Sequence, residues 1–271
     1  MKGKLNRLKV LTIVVIIFFP AVFVHLSCKK KNPASSTPFS YPLIVHSILF
    51  AYGDIFAGTS HGVYLSTDNG GSWTQAGLVN VYVNTLILSS SGILAGTYNS
   101  GVYLSGNYGA TWAAINGMGY QGNLPNLYVR SLLVNSNGHL LAGTEGNGVS
   151  RSTDNGVSWS LSTLTSNIIY SLRTRLAGEI FAGTNQGVYR SLNNDSIWVQ
   201  TGTFTNVPIR TIINNSYGVY AGTYGDGIFC STNSGSNWTA VNIGLTNSFI
   251  TAMTTNSTGN IFSGTYDGGV F

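Results

Sequence analysis

The sequence predicts an all-β chain: a single β-propeller of about six four-stranded blades over residues 43–271, with the last blade incomplete and a seventh left open. Three observations carry that expectation. An Ala-Gly-Thr step begins at Ala57, Ala95, Ala142, Ala182 and Ala221 and returns as Ser263-Gly264-Thr265, at intervals of 38, 47, 40, 39 and 42 residues. A period near 40 with short strands marks units that bury their faces only by stacking on their neighbours. All five tryptophans, Trp73, Trp112, Trp159, Trp198 and Trp238, close the same turn of the repeat. The composition agrees: 34 Gly, 15 Tyr, 43% apolar and 8% charged residues suit tight turns between short buried strands and do not describe a disordered chain.

The second copy shows the elements in order. Val83–Leu88 is β-rich and ends at the turn Ser89-Ser90-Ser91-Gly92. Ile93–Thr97 is a second strand, Tyr98–Gly101 a turn, Val102–Ser105 a third strand, Gly106–Ala110 a tight turn and Thr111–Ile115 a fourth strand. Both faces carry apolar residues, so each antiparallel meander must be covered on both sides. Radial stacking does this and leaves only short edges. The sixth copy stops at Gly269-Val270-Phe271, inside its third strand. A short final blade, a strand borrowed from Thr37–Pro42 and a longer parent chain are the three readings of that.

The turn before each Trp is the most specific motif. Ser66-Thr67-Asp68-Asn69-Gly70-Gly71-Ser72-Trp73 and Ser152-Thr153-Asp154-Asn155-Gly156-Val157-Ser158-Trp159 are its fullest copies; Asn107, Asn193 and Asn233 stand for Asp in the others. A carboxylate or amide there accepts the N–H groups of its own turn, Gly supplies positive φ and Trp covers the hairpin. The tolerance of Asn points to a structural lock. Calcium is the alternative, but one carboxylate per loop is too few hard ligands, and neither a metal nor a cofactor is expected. The pattern resembles the Asp-box, or BNR repeat, of sialidase-like β-propellers. The resemblance covers roughly residue 43 to the end and extends to the photosystem II assembly factors, which are non-catalytic partners of other proteins.

Residues 1–27 read as a targeting segment. Lys2, Lys4, Arg7 and Lys9 precede the apolar run Val10–Val24, and His25-Leu26-Ser27-Cys28 follows. A small residue before Cys at the close of such a run resembles a bacterial lipoprotein signal, which makes Cys28 the lipidated first residue of the mature chain. An uncleaved anchor is the alternative, made less attractive by Pro20 and the shortness of the run. Residues 28–42, rich in Lys, Ser, Thr and Pro, read as a flexible tether. The expected location is the bacterial cell envelope, outside the cytoplasm, most readily the outer membrane.

The formal net charge of +5 comes from this N-terminus; from Asn32 onward there are six Arg, no Lys and eight acids, a balance of −2. That excludes a nucleic-acid face, which needs clustered cations. Cys230, the one cysteine after Cys28, occupies the slot of Leu65 and Leu104 and reads as a small buried apolar residue. No partner copy is called for, so a monomer is expected.

Catalysis finds little support. The resemblance to sialidases implies three Arg, a Tyr nucleophile with its Glu, an acid Asp and a Phe-Arg-Ile-Pro-like segment before the first box. That segment is missing, and the only Glu residues are Glu145 and Glu179. Glu179 sits in a polar turn slot shared with Asp54, His139 and Asn260. Another glycosidase would need two facing carboxylates, with Glu145, Asp226 and Asp267 as candidates. No Gly-x-Ser-x-Gly elbow, phosphate loop or zinc spacing occurs.

A binding site is expected where the copies differ. The second residue of each innermost strand is His46, Asn84, Arg130, Tyr170, Arg210 or Thr251, while its neighbours hold the repeat. The loop after the second strand varies likewise, bringing His61, Tyr98, Glu145, Tyr224, Asp226 and Tyr266. The meander puts both sets at one end, with the insertion 117–126, and the Asp-boxes at the other. His46, Asn84, Arg130, Tyr170, Arg210, Tyr98, Glu145, Tyr224, Asp226 and Tyr266 are therefore the expected ligand-binding residues, suited to a glycan, peptide or protein partner. Arg130 and Arg210 are expected to grip an anion. A non-catalytic binding or scaffolding propeller is the leading reading, and a glycosidase acting at the axial mouth the alternative.

Overall fold

A computed structural model describes residues 15–18, 21–24 and 43–271, the last stretch without 118–121, 166, 176–177, 193–194, 196, 203 and 205. Cys28, residues 29–42 expected as a tether and most of residues 1–27 lie outside the described residues. Among residues 1–27, Val15–Phe18 and Ala21–Val24 pair antiparallel, beside Ile261–Thr265 and Val45–Ala51, the strands that flank the seam between blades 6 and 1.

Each repeat folds as expected, into one antiparallel sheet whose strands follow in chain order from the axis outward. Blade 1 comprises Val45–Ala51, Asp54–Thr59, Gly62–Ser66 and Thr74–Gln75. Blades 2 to 5 start at the inner strands Val83–Ser89, Val129–Val134, Ile169–Thr174 and Ile209–Asn214 and end at Ala113–Ala114, Ser160–Leu161, Trp198–Thr201 and Thr239–Ala240. Blade 6 has Ile250–Thr255 and Ile261–Thr265, plus a bridge from Gly264 to Val270. No α-helix occurs among the described residues.

The core is five buried clusters, each between consecutive blades. The repeated Ala-Gly-Thr step exists to bring those blades together. A Cβ on Gly58, Gly96, Gly143 or Gly222 would lie 2.6–2.8 Å from the Val or Ile that opens the next inner strand, so only glycine lets the sheets approach. The threonine then locks the following loop: Thr59, Thr97, Thr144, Thr184 and Thr223 each donate from Oγ1 to a carbonyl three or four residues on, at 2.8–2.9 Å. Serines join neighbours, as Ser47, Ser131 and Ser171 accept the N–H of Leu86, Leu172 and Ile212 in the next blade.

The seam between blades 6 and 1 differs. A Cβ on Gly264 would meet nothing closer than 3.6 Å, and only its own blade. Ile48 is 46% exposed, whereas its repeat equivalent Leu86 is 4% exposed. None of the buried clusters spans this seam among the described residues.

The boxes act as hairpin locks. Asp68 Oδ1 accepts from Ser66 Oγ and Ser72 N–H, both at 2.8 Å, and Oδ2 accepts from Ser72 Oγ. Asp154 repeats the pattern with Ser152 and Ser158. Asn107 and Asn233 keep the same backbone acceptor role at 2.9 Å, which is why an amide suffices. These bonds hold the Asp68 carboxyl down at about 2 and pull Asp154 below its ordinary value as well. Trp159 and Trp112 reach the preceding blade, donating from Nε1 to Ile115 O at 2.7 Å and Ala76 O at 2.8 Å. Trp198 donates within its own box, to Asp195 O. Trp238 lies against Gly202 and Phe204 of the preceding blade. Trp73 and Trp238 depart from the pattern: both are half-buried, and neither Nε1 has a partner among the described residues.

Box four also departs. Asn193, expected to stand for Asp, lies outside the described residues. Asp195 takes the place of the left-handed glycine, at φ 108°, with its N–H on Ser191 Oγ. Its buried carboxylate clamps blade 3 to blade 4 by accepting from Asn135, His139 and Arg151 at 2.7, 3.0 and 2.8 Å. Glu179 is likewise no idle turn residue: it pairs with Arg175 at 3.1 Å and accepts from Ser234 of blade 5. Cys230 is half-buried, not fully buried as its slot implied.

Candidate functional site

One feature of the inner strands creates the site. In every blade the register to the second strand slips at the second residue: between Val45 and Ser47, Val83 and Thr85, Val129 and Ser131, Ile169 and Ser171, Ile209 and Thr211, and Ile250 and Ala252. The residues left out of the ladder are His46, Asn84, Arg130, Tyr170, Arg210 and Thr251. A bulged residue is unpaired and its side chain is re-aimed. The variable slot of the repeat is thus the bulge.

Five of those side chains are half-buried, and Thr251 is buried, donating to Gly264 O at 2.9 Å. Around them runs an arc of ring and guanidinium contacts across all six blades. His46 lies 4.3 Å from Tyr82 between ring centroids, Tyr82 5.4 Å from Tyr98, and Tyr98 5.0 Å from Tyr128. Glu145 carries the arc onward: its N–H donates to Tyr128 O at 3.0 Å, and its Oε2 accepts from Arg130 Nε and a terminal nitrogen at 3.2 and 2.8 Å. Arg130 stands 5.6 Å from the Tyr170 ring, and Arg210 lies 4.2 Å from Tyr170 and 4.9 Å from Tyr224. Tyr224 closes the arc against Phe249 at 5.0 Å and Tyr266 at 6.3 Å.

The mouth is drier than a surface rim. Burial raises the Tyr82 hydroxyl to about 12, helped by Tyr98 and opposed by Arg130. Burial also lowers the Arg210 guanidinium from its ordinary value; Tyr170 and Tyr224 oppose that and the like charge of Arg130 adds to it. Tyr266 is raised as well, by desolvation and by Asp267 and Tyr224. Aromatic faces over a desolvated guanidinium give cation–π attraction of order 2 kcal/mol. Among the described residues no three His, Cys, Asp or Glu side chains gather as metal ligands.

Of the ten residues the sequence singled out, His46, Arg130, Tyr170, Arg210, Tyr98, Glu145, Tyr224 and Tyr266 join the arc. Asn84 lies beside it, donating to Val129 O of the next blade at 2.8 Å. Asp226 stands apart: it is exposed on the rim, with its N–H on Thr223 Oγ1. Arg130 was expected to grip an anion, and Glu145 already holds its fork. Tyr82, Tyr128 and Phe249 were missed. They fill the slot just before each inner strand, elsewhere Ile44, Ile168 or Pro208, whose carbonyl accepts from the first residue of the loop after Ala-Gly-Thr in every blade. Comparing that slot across the copies would have found them.

Inward-bulged side chains on radially stacked four-stranded sheets define the chain as a β-propeller with an axial mouth. No family model matches the chain, and no curated protein sequence does. Solved structures do match. The extracellular domain assigned to a one component system of B. thetaiotaomicron is 17% identical with a TM-score of 0.72, over 84% of this chain and 32% of that one. An ancestral GH74 enzyme is 22% identical with a TM-score of 0.68, over 82% of this chain and 35% of that one. YCF48 bound to D1 peptide is 17% identical with a TM-score of 0.62, over 84% of this chain and 78% of that one. The chain spans about a third of the length of the first two. At these identities the likeness is one of fold.

Proposed function

We propose that this chain is a non-catalytic binding propeller, tethered to the bacterial envelope through a lipidated Cys28, that recognises a glycan, peptide or protein partner at its axial mouth. The observation that carries the reading is the coincidence of variable slot and bulge in all six blades. Side chains placed there change the mouth and leave the strand ladder alone, although Asn84 also donates to Val129 O of the next blade. The aromatic arc supplies stacking area, and the dry guanidinium of Arg210 supplies polar specificity. Extracellular domains and a peptide-bound protein among the similar folds are compatible with such a role outside the cytoplasm.

The glycosidase alternative draws on the likeness to the GH74 enzyme. It needs a second carboxylate facing Glu145, whose own carboxylate is engaged by Arg130. Release of 4-methylumbelliferone from a panel of its glycosides would establish it.

The test of binding is a glycan and peptide array probed with the full chain in detergent, beside Tyr170→Ala/Arg210→Ala and Asp154→Ala. Signals lost in the mouth variant and kept in the box variant support the reading. Signals that ignore the mouth variant overturn it. Intact mass checks the anchor: acyl chains on a chain beginning at Cys28 are expected, and an unprocessed Met1 start refutes it.

A further inference from the structure

The strip of rim where blades 2 and 3 meet carries more chemistry than the mouth as a whole. Tyr98 and Tyr128 stand edge to face, at 89° between ring planes, and are 39% and 43% exposed. Asn126, at the end of the 117–126 insertion, fixes the flank of this shelf. Its Nδ2 donates to Glu145 O and Asn147 Oδ1, both at 2.9 Å, and its Oδ1 accepts from Tyr128 N–H at 2.8 Å. Blade 2 is tied in by Gly101 N–H on Leu127 O at 3.0 Å. Aromatic surface, carboxylate and amides are thus held in fixed relation before any ligand arrives. Arg130 Nε and one terminal nitrogen both donate to Glu145 Oε2, so the pair carries no net charge and Glu145 Oε1 lies on the other side of the carboxylate as an acceptor.

We infer that this strip is a subsite for a neutral pyranose unit of a glycan. The inference rests on the reading of the mouth as a recognition surface and adds the ligand class. A pyranose has one apolar C–H face and a rim of equatorial hydroxyls that both donate and accept. The tyrosine shelf matches the face; Glu145 Oε1 and the Asn147 amide match the rim. A peptide bound by strand addition would need an open sheet edge. Here the backbone is used: Tyr98 N–H on Tyr82 O, Glu145 N–H on Tyr128 O and Gly101 N–H on Leu127 O. A charged sugar gains nothing from a neutral ion pair.

The full chain in detergent is titrated with cellohexaose, mannohexaose and laminarihexaose by calorimetry and saturation-transfer NMR. At least one is expected to bind, with transfer to the protons of one sugar face. Tyr98→Ala and Tyr128→Ala should each weaken it by about tenfold, equivalent to about 1.4 kcal/mol. Tyr98→Phe, which keeps the ring, should retain most of the affinity, and the melting temperature should stay in place. No binding of any hexaose at millimolar concentration overturns the inference, as does binding indifferent to both tyrosines. A peptide hit that Tyr170→Ala/Arg210→Ala abolishes, with no hexaose bound, overturns the glycan subsite and leaves the mouth as a binding surface.

Discussion

The two ends of the propeller solve different problems with the same repeat. At the box end the turn residues Asp68, Asp154, Asn107 and Asn233 satisfy their own turns, while Trp112, Trp159 and Asp195 bond the preceding blade. At the mouth end the polar and aromatic groups face one another across blades and hold an arc that no single repeat specifies. The most recognisable motif of the sequence is therefore farthest from the candidate site. Repetition marks the scaffold; departure from it marks the mouth and, at Asp195, the clamp between blades 3 and 4.

The sharpest way to break this contrast is Trp159→Ala. The ring is buried and its Nε1 bonded, so chemical denaturation should show a loss of about 3–5 kcal/mol. Trp73→Ala, at a half-buried ring without a bonded Nε1, should cost clearly less, and equal losses would mean that the seam between blades 6 and 1 is packed like the rest. Asp154→Ala removes the acceptor of one turn and should cost about 1 kcal/mol in the same assay, with ligand binding untouched.

Acid separates the ends as well. The folded Asp68 carboxyl lies at about 2, below its ordinary 3.8, so its contribution is present above pH 4 and is lost as the pH falls toward 2. Asp68→Asn/Asp154→Asn should flatten that part of the melting-temperature profile, as Asn107 and Asn233 already do the same work in their boxes. A profile as steep as the parent's would show that other carboxylates dominate. The smallest effect is expected at the mouth. Tyr170→Ala should change unfolding stability by less than about 1 kcal/mol, because the bulged residue packs on neighbours in the arc and takes no part in the ladder. A larger loss would make the mouth part of the scaffold.

Much of this was legible in the sequence, for a physical reason. Strand lengths, box chemistry and blade order follow from local rules that recur in every copy, so Val83–Leu88 was read to within a residue of the observed strand. The bulged slot was visible as variability between copies. What stayed hidden depends on contacts between copies: the pairing of Arg130 with Glu145, the clamp of Asp195 on Asn135, His139 and Arg151, and the joining of Tyr82, Tyr128 and Phe249 into the arc. The fourth box did carry a signal, since it lacks the glycine that the other boxes place four residues after their serine.

The bulge has a consequence for how such a chain changes over time. A residue outside the ladder can be exchanged without breaking the ladder's own hydrogen bonds. Positions 46, 130, 170 and 210 therefore behave as letters written on a fixed page, whereas Asn84 and Thr251 are tied to Val129 O and Gly264 O. Drift at those letters rewrites what the mouth reads while each blade goes on folding from the same local instructions. Duplicated copies of this gene should diverge in ligand long before they diverge in shape, and a library randomised at those four codons should yield folded proteins of many specificities.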